Sequence, residues 1–292
     1  MWETSSGTPI QLTHDGVISQ PALTADGLVY VVRSRNASDL WLVPSEGPPR
    51  AITRNTAATP LLSHWASQPV FIPDRGGLYA IGDFNKASTG AGDLAVWELS
   101  LSRDPPVQIT HPPAYAGGDQ DVTVNPEDPR QIIFTRYAYA GTQLVEQLQS
   151  LDVSSNVLVA LTPPDRSARQ ASYSPDAKEV AFVQDGPDAL EALYLADLRT
   201  SGRRAQLEEP RSVASGVIAN PVWTADGNTL GYLALTSNGF QLFSVDIRRD
   251  GNGAETFGEP HQITTGPALD ATSRPVFLSS PRADDVRRWL GP

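Results

Sequence analysis

Three histidines hold the side chains best suited to a metal centre. His14 and His111 each follow directly on a Leu/Ile-Thr pair, and His64 lies between them in the sequence. Three imidazoles at one mouth, with an aspartate completing the shell, suit Zn²⁺ or Mn²⁺. The competing reading is that Leu-Thr-His is a habit of a repeated unit and the rings are exposed and idle. His261 has no comparable neighbours. The chain has no cysteine, which excludes disulfides, thiolate metal sites and cysteine nucleophiles. It has no Gly-x-Ser-x-Gly elbow, no phosphate-cradling glycine loop and no His-Glu-x-x-His. The acidic stretch 246–255 lacks calcium-loop spacing, and Arg248-Arg249 would repel a cation, so it reads as a long hairpin turn. On these residues no cofactor is expected and a non-enzyme is favoured.

A second set of residues suits contact. Arg54, His64, Trp65, Tyr115, Tyr137 and Tyr139 fall in segments joining apolar runs. Trp, Tyr and Arg dominate interaction hot spots. Segments 54–68 and 111–121 are the longest of these connections. The net charge of -11 repels phosphate backbones and anionic membranes, so nucleic acid is excluded as a partner and a protein or peptide is expected. No apolar run approaches the ~20 residues of a membrane span. The chain is expected to act as a monomer.

These residues are positioned by a repeat of about fifty residues. Its head is a polar residue, a small or proline residue, then an apolar or aromatic run and a Pro-Asp-Gly-type turn. Copies begin at Gln20, Gln68, Gln170 and Asn220, with a worn copy at 122–126 and a partial one at Arg274. Proline presets φ, Asp bonds back to the backbone and Gly takes positive φ. Asp26, Asp74, Asp176 and Asp226 are therefore expected to form turns rather than catalyse. Each unit continues with an apolar run containing an aromatic (Leu28 to Val32, Leu78 to Ile81, Val180 to Val183), a third segment such as Leu40-Trp41-Leu42-Val43, and a closing Leu/Ile-Thr. Short runs rich in β-branched and aromatic residues between turn residues are strands. The fourth unit shows no clean closing copy around 205–213. Four such strands make an antiparallel sheet, and several sheets around an axis make a β-propeller.

The Pro–aromatic–Ser/Thr-Pro/Ala-Asp-Gly strand and turn, the Trp/Tyr-bearing third strand and the closing Leu-Thr resemble the TolB-like propellers, whose repeat is called WD40-like or PD40. The resemblance covers roughly residues 1–280. It implies an all-β, six-bladed fold of four-stranded antiparallel blades, and an extracytoplasmic bacterial protein, periplasmic or at the cell surface, that binds a protein or peptide. Relatives that implies include peptidase-linked propellers and a lyase that binds metal through histidines. The alternatives are thus a metal-assisted carbohydrate lyase or hydrolase using His14, His64 and His111, or a sensor or accessory domain of a larger protein.

The phase of the repeat is uneven. Trp2 precedes Thr13 by eleven positions, as Trp41 precedes Thr53 by twelve and Trp97 precedes Thr110 by thirteen. Met1 therefore falls inside a third strand. At the other end 273–278 reads as a first strand, while the charged stretch 284–290 reads as a makeshift inner strand or a short helix. The expectation is one propeller domain over 1–292 with five full blades and an incomplete closing blade drawn from 1–15 and 273–292. Either the two ends meet, or the chain is a piece of a longer protein. The missing apolar leader therefore says nothing of compartment.

Overall fold

The computed structural model describes residues 2–3, 10–11, 18–25, 27–34, 37–55, 64–72, 75–84, 93–102, 104–114, 116–186, 190–251, 254–278 and 280–290. Two short strands, β1 (Trp2–Glu3) and β2 (Ile10–Gln11), pair as a ribbon. Blade one follows as β3 (Ile18–Thr24), β4 (Gly27–Arg33), β5 (Ser38–Pro44) and β6 (Arg50–Ala51). Blade two is β7 (Ala66–Ile72), β8 (Gly77–Gly82), β9 (Ala95–Ser100) and β10 (Val107–Gln108). Blade three is β11 (Asp119–Val124), β12 (Gln131–Ala140), β13 (Gln143–Asp152) and β14 (Val157–Ala160). Blade four is β15 (Ala168–Tyr173), β16 (Glu179–Asp185), β17 (Glu191–Ser201) and β18 (Arg204–Ser215). Blade five is β19 (Ile218–Trp223), β20 (Thr229–Thr236) and β21 (Gly239–Arg249), with β22 (Glu255–Phe257) and β23 (His261–Gln262) both on β21. A helix, α1 (Ser280–Leu290), follows. Each blade runs antiparallel in chain order, and the first strands β3, β7, β11, β15 and β19 neighbour one another around the axis. The fold is thus an all-β propeller of five blades with an unclosed sixth position.

The second strands explain the continuous apolar runs. Those of blades two to four are sandwiched between neighbouring blades and so are buried on both faces. Leu78 to Ile81 of β8 and Val180 to Val183 of β16 are almost wholly inaccessible. Their side chains join apolar clusters that bridge one blade to the next, such as Val29, Leu40, Leu78 and Trp97 between blades one and two. Burial of this kind contributes roughly 1.5–3 kcal/mol per large aliphatic side chain.

The closing Leu/Ile-Thr is a clamp. The hydroxyls of Thr53, Thr110, Thr162 and Thr264 accept the N–H groups of Leu40, Val96, Leu148 and Leu242 at 3.0, 2.9, 3.0 and 2.9 Å. All four threonines are buried. Each finishes the pairing of a fourth strand too short to finish it with backbone alone. Blade four needs no clamp, because β18 runs twelve residues along β17 with two register shifts. The turn aspartates behave as expected where they are described. Asp176 accepts from Ser174 Oγ (2.8 Å) and Lys178 N–H (3.2 Å), and Asp226 from Thr224 Oγ1 (2.6 Å) and Asn228 N–H (3.1 Å). Asp26 and Asp74 lie outside the described residues. The stretch 246–255 is a hairpin, with Arg249 opposite Glu255.

One expectation is corrected at the closing end: residues 273–278 form no strand. Of the two readings of 284–290, the short helix is the one found, as part of α1. The reason is the charge noted above: Asp284 pairs with Arg287 and Asp285 with Arg288 one helical turn on, a spacing that suits a helix surface. Val286 faces Leu28, Tyr30 and Val43 of blade one, with Leu278 and Trp289 beside it. Arg282 Nη2 donates to Thr24 O at 2.6 Å and its guanidinium lies 5.7 Å from the Trp289 ring centre. In the ribbon, Trp2 pairs with Gln11, as Trp41 pairs with Ala51 and Trp97 with Gln108 in third-to-fourth strand pairs.

Candidate functional site

Each first strand carries a bulge at the head of the repeat. Gln20, Gln68, Asp121, Gln170 and Asn220 sit there with φ between 50° and 56°, and the ladder shifts register around each. In three blades the next residue is proline (Pro21, Pro69, Pro221), which has no N–H for the ladder to lose. A non-glycine residue held there costs about 1–3 kcal/mol and needs surrounding support. The support is a set of staples around the axis. Gln68 N–H donates to Gln20 Oε1 (2.8 Å), Asp121 N–H to Gln68 Oε1 (2.6 Å) and Asn220 N–H to Gln170 Oε1 (2.9 Å).

The ring of staples breaks between blades three and four. There the N–H of Gln170 goes to Thr135 Oγ1 (3.1 Å). Asp121 instead accepts Gln68 Nε2 (3.0 Å) and Arg274 Nη2 (2.9 Å). Arg274 occupies the head position of the unpaired sixth copy. It is held in place by Asn220, whose Nδ2 donates to Ala271 O (2.9 Å) and Ser273 O (2.8 Å). All six head residues line one axial cavity of about 180 Å³. Its remaining wall includes Gln120, Tyr137, Glu146 and Arg169.

The charges in the wall are paired. Arg169 reaches Glu146 (3.4 Å) and Glu191 (2.5 Å), and those carboxylates hold it charged although burial opposes the charge. Burial, then the Glu146 carboxylate that accepts its hydroxyl, pushes the Tyr137 phenol well above the ordinary tyrosine range. Tyr137 therefore remains a donor at physiological pH. Beside the cavity, Asp119 is wholly buried and bidentate with Arg136 at 2.7 and 2.8 Å. A second charged cluster lies at the opposite ends of blades four and five. Arg211 reaches Glu179, Asp197 and Glu255 at 3.0, 2.9 and 3.0 Å, and Arg249 reaches Glu255 and Glu179. These groups are committed to each other across a blade seam.

The contact residues expected from sequence lie apart from one another where they are described. Trp65 is 39% exposed ahead of β7, its N–H tied to Asp83 Oδ1 at 2.6 Å. His64 is half-buried, with Nδ1 2.9 Å from Asp83 O. Arg54 and His111 are exposed. Tyr137 and Tyr139 are not in a loop, as the sequence suggested, but on β12, because β12 and β13 extend to ten residues each before Gly141 turns the chain at φ 65°. That extension sends Tyr137 to the axial cavity and leaves Tyr139 62% exposed. Tyr115 and His14 lie outside the described residues. Among the described residues no group of three or more His, Cys, Asp or Glu is placed to hold a metal. Sequence reasoning missed Gln120, Glu146, Arg169 and Arg274. The available signal was the polar residue at the head of every copy of the motif, whose side chain a propeller turns toward its axis.

These features define a β-propeller whose axis is polar and whose blades are built on one repeat. No protein-family model matches the sequence, and no curated protein matches it. Solved structures do. TolB from Acinetobacter baumannii is 17% identical with a TM-score of 0.63, the match covering 88% of this chain and 60% of that one. A putative TolB from Agrobacterium tumefaciens is 12% identical with a TM-score of 0.62, covering 90% and 86%. An oligogalacturonate lyase in complex with manganese is 14% identical with a TM-score of 0.57, covering 85% and 66%. The chain thus spans 60% of the length of the first of these proteins. The likeness is one of fold: a TolB-like propeller. Among the described residues no helix is long and apolar enough to cross a membrane.

Proposed function

We propose that this propeller is a non-catalytic scaffold that binds a protein or peptide on the face around the mouth of the axial cavity, in an extracytoplasmic setting such as the periplasm or cell surface. The observation that carries the reading is the exposure of large apolar side chains at the strand ends and loops of that face. Trp65 is 39% exposed and Tyr139 62%. Opposite Tyr139 across the β12–β13 pair, Leu144 is 47% exposed. Leu190 and Leu235, at the corresponding ends of blades four and five, are 58% and 50% exposed. Rigid aromatics at the centre of an interface supply most of its binding energy, and loops on a fixed scaffold are the usual place for them. Arg54 and His64 are assigned to the same surface, as are Tyr137 at the cavity and, from sequence position alone, Tyr115. The acidic balance of the chain favours a partner with cationic groups.

The test is selection of binders from a displayed peptide library, followed by the double variant Trp65→Ala/Tyr139→Ala. The selected peptides should lose at least tenfold in affinity while the melting temperature stays within about a degree, since both side chains are exposed. Affinity unchanged in the double variant would move the binding surface elsewhere.

A further inference from the structure

We infer that the axial cavity is a binding site for one neutral, polyhydroxylated ring of monosaccharide size. This goes beyond the peptide-binding face and does not depend on it. The inference begins from the six head residues. Five of them are non-glycine residues held at positive φ, and all six turn a polar side chain into the same cavity. The staples account for only part of this arrangement. They use the carbonyl oxygens of Gln20 and Gln170, while the amide NH₂ groups of these two side chains make no hydrogen bond among the described residues. Gln120, also in the wall, makes no side-chain hydrogen bond among them. Amides carry a donor and an acceptor side by side, as a hydroxyl does.

Charge decides against an ionic occupant. The wall contains Arg169 and Arg274 with Glu146 and Asp121, each guanidinium already facing a carboxylate. These side chains are 11–20% exposed. An incoming anion or cation would have to displace one partner and leave another charge unpaired in a confined place, which is costly. A neutral polyol meets the same groups without displacing any, because each of its hydroxyls both donates and accepts. Arg274 and Asp121 offer adjacent donor and acceptor for vicinal hydroxyls, and Tyr137 offers one ring and a phenol oxygen that can accept while its proton goes to Glu146. Size limits the occupant to one ring: about 180 Å³ is below the ~300–1,000 Å³ of pockets for drug-sized ligands. The site also stands where the copies of the repeat differ. Asp121 replaces an amide and Arg274 comes from the unpaired sixth copy, so the two residues with charge at the head position meet across the cavity.

The experiment is titration calorimetry with D-glucose, D-galactose, D-mannose and myo-inositol, against D-glucuronate, D-glucosamine and glycine. At least one neutral probe should bind saturably, at least tenfold more tightly than any charged one. Gln120→Leu, which removes no side-chain hydrogen bond made among the described residues, should weaken that probe at least tenfold with the melting temperature unchanged. Tyr137→Phe should weaken it severalfold. Peptides selected on the outer face should bind Gln120→Leu as they bind the parent, so the two readings fail separately. The inference is overturned if no neutral probe saturates, if a charged probe binds as tightly, or if Gln120→Leu leaves the affinity of the bound probe unchanged.

Discussion

Blade one meets another sheet on one side and a helix on the other, and the two contacts are built differently. Against blade two, Val29, Val31 and Leu40 interdigitate with Leu78 and Ala80 of the neighbour, all at 0% exposure. Against α1, the only fully buried side chain described on the helix is Val286, at 5%, with Trp289 partly exposed beside it. Polar ties make up part of the difference, through Arg282 to Thr24 O and Ala25 O. The lesson is that a repeat supplies its own complementary surface, while the last surface has to be covered by whatever segment fits. Leu40→Ala should therefore destabilise by about 2–5 kcal/mol. Val286→Ala removes two buried methyl groups and should cost about 1–2 kcal/mol. Guanidinium unfolding measures both. Equal losses would make the helix as integral as a blade, and no loss from Val286→Ala would detach it from the cooperative unit.

The same comparison marks what the sequence reveals. Blades two to five follow from runs such as Leu78 to Ile81 and from turns such as Ser174-Pro175-Asp176, because local pattern and tertiary setting agree in every copy. The closing segment has no second copy to agree with. Residues 273–278 look like a first strand because Pro275 and Phe277 match the motif, yet they lack a second strand to pair with. Phe277 instead packs over Gly231 of β20, so close that a Cβ there would meet its ring at 2.6 Å. The cavity was illegible for a related reason. Glu146, Arg169 and Arg274 come from three different units, and only the arrangement of the blades around the axis brings them together. Tyr139 and Trp65 were legible as exposed aromatics because exposure of a large apolar side chain is a local departure from the blade pattern.

The clamp sharpens the comparison further, since it is a polar device that the sheet–helix contact lacks. Thr162→Val keeps the shape of the side chain but leaves the buried Leu148 N–H without its 3.0 Å acceptor. The expected loss is about 1–3 kcal/mol, the cost of an orphaned buried donor. Thr162→Ser should recover most of it. Chemical denaturation of the three proteins checks this, and a loss confined to a few tenths for Thr162→Val would mean that backbone pairing alone closes the blade.

The smallest expected effect has the opposite sign and comes from a regular seam. Tyr173 and Trp223 hold the same repeat position in blades four and five. The indole N–H of Trp223 reaches back across the seam to Ser172 O at 3.2 Å. The phenol of Tyr173 is buried in the seam with blade three and has no hydrogen-bond partner among the described residues. Burial accordingly pushes its ionisation far above the usual tyrosine range. A buried hydroxyl left unpaired opposes folding, and replacing it by hydrogen removes that opposition while keeping the ring. Tyr173→Phe should raise stability by up to about 1 kcal/mol, visible as a higher melting temperature at an unchanged denaturant slope. A fall in stability would show that the hydroxyl is satisfied after all.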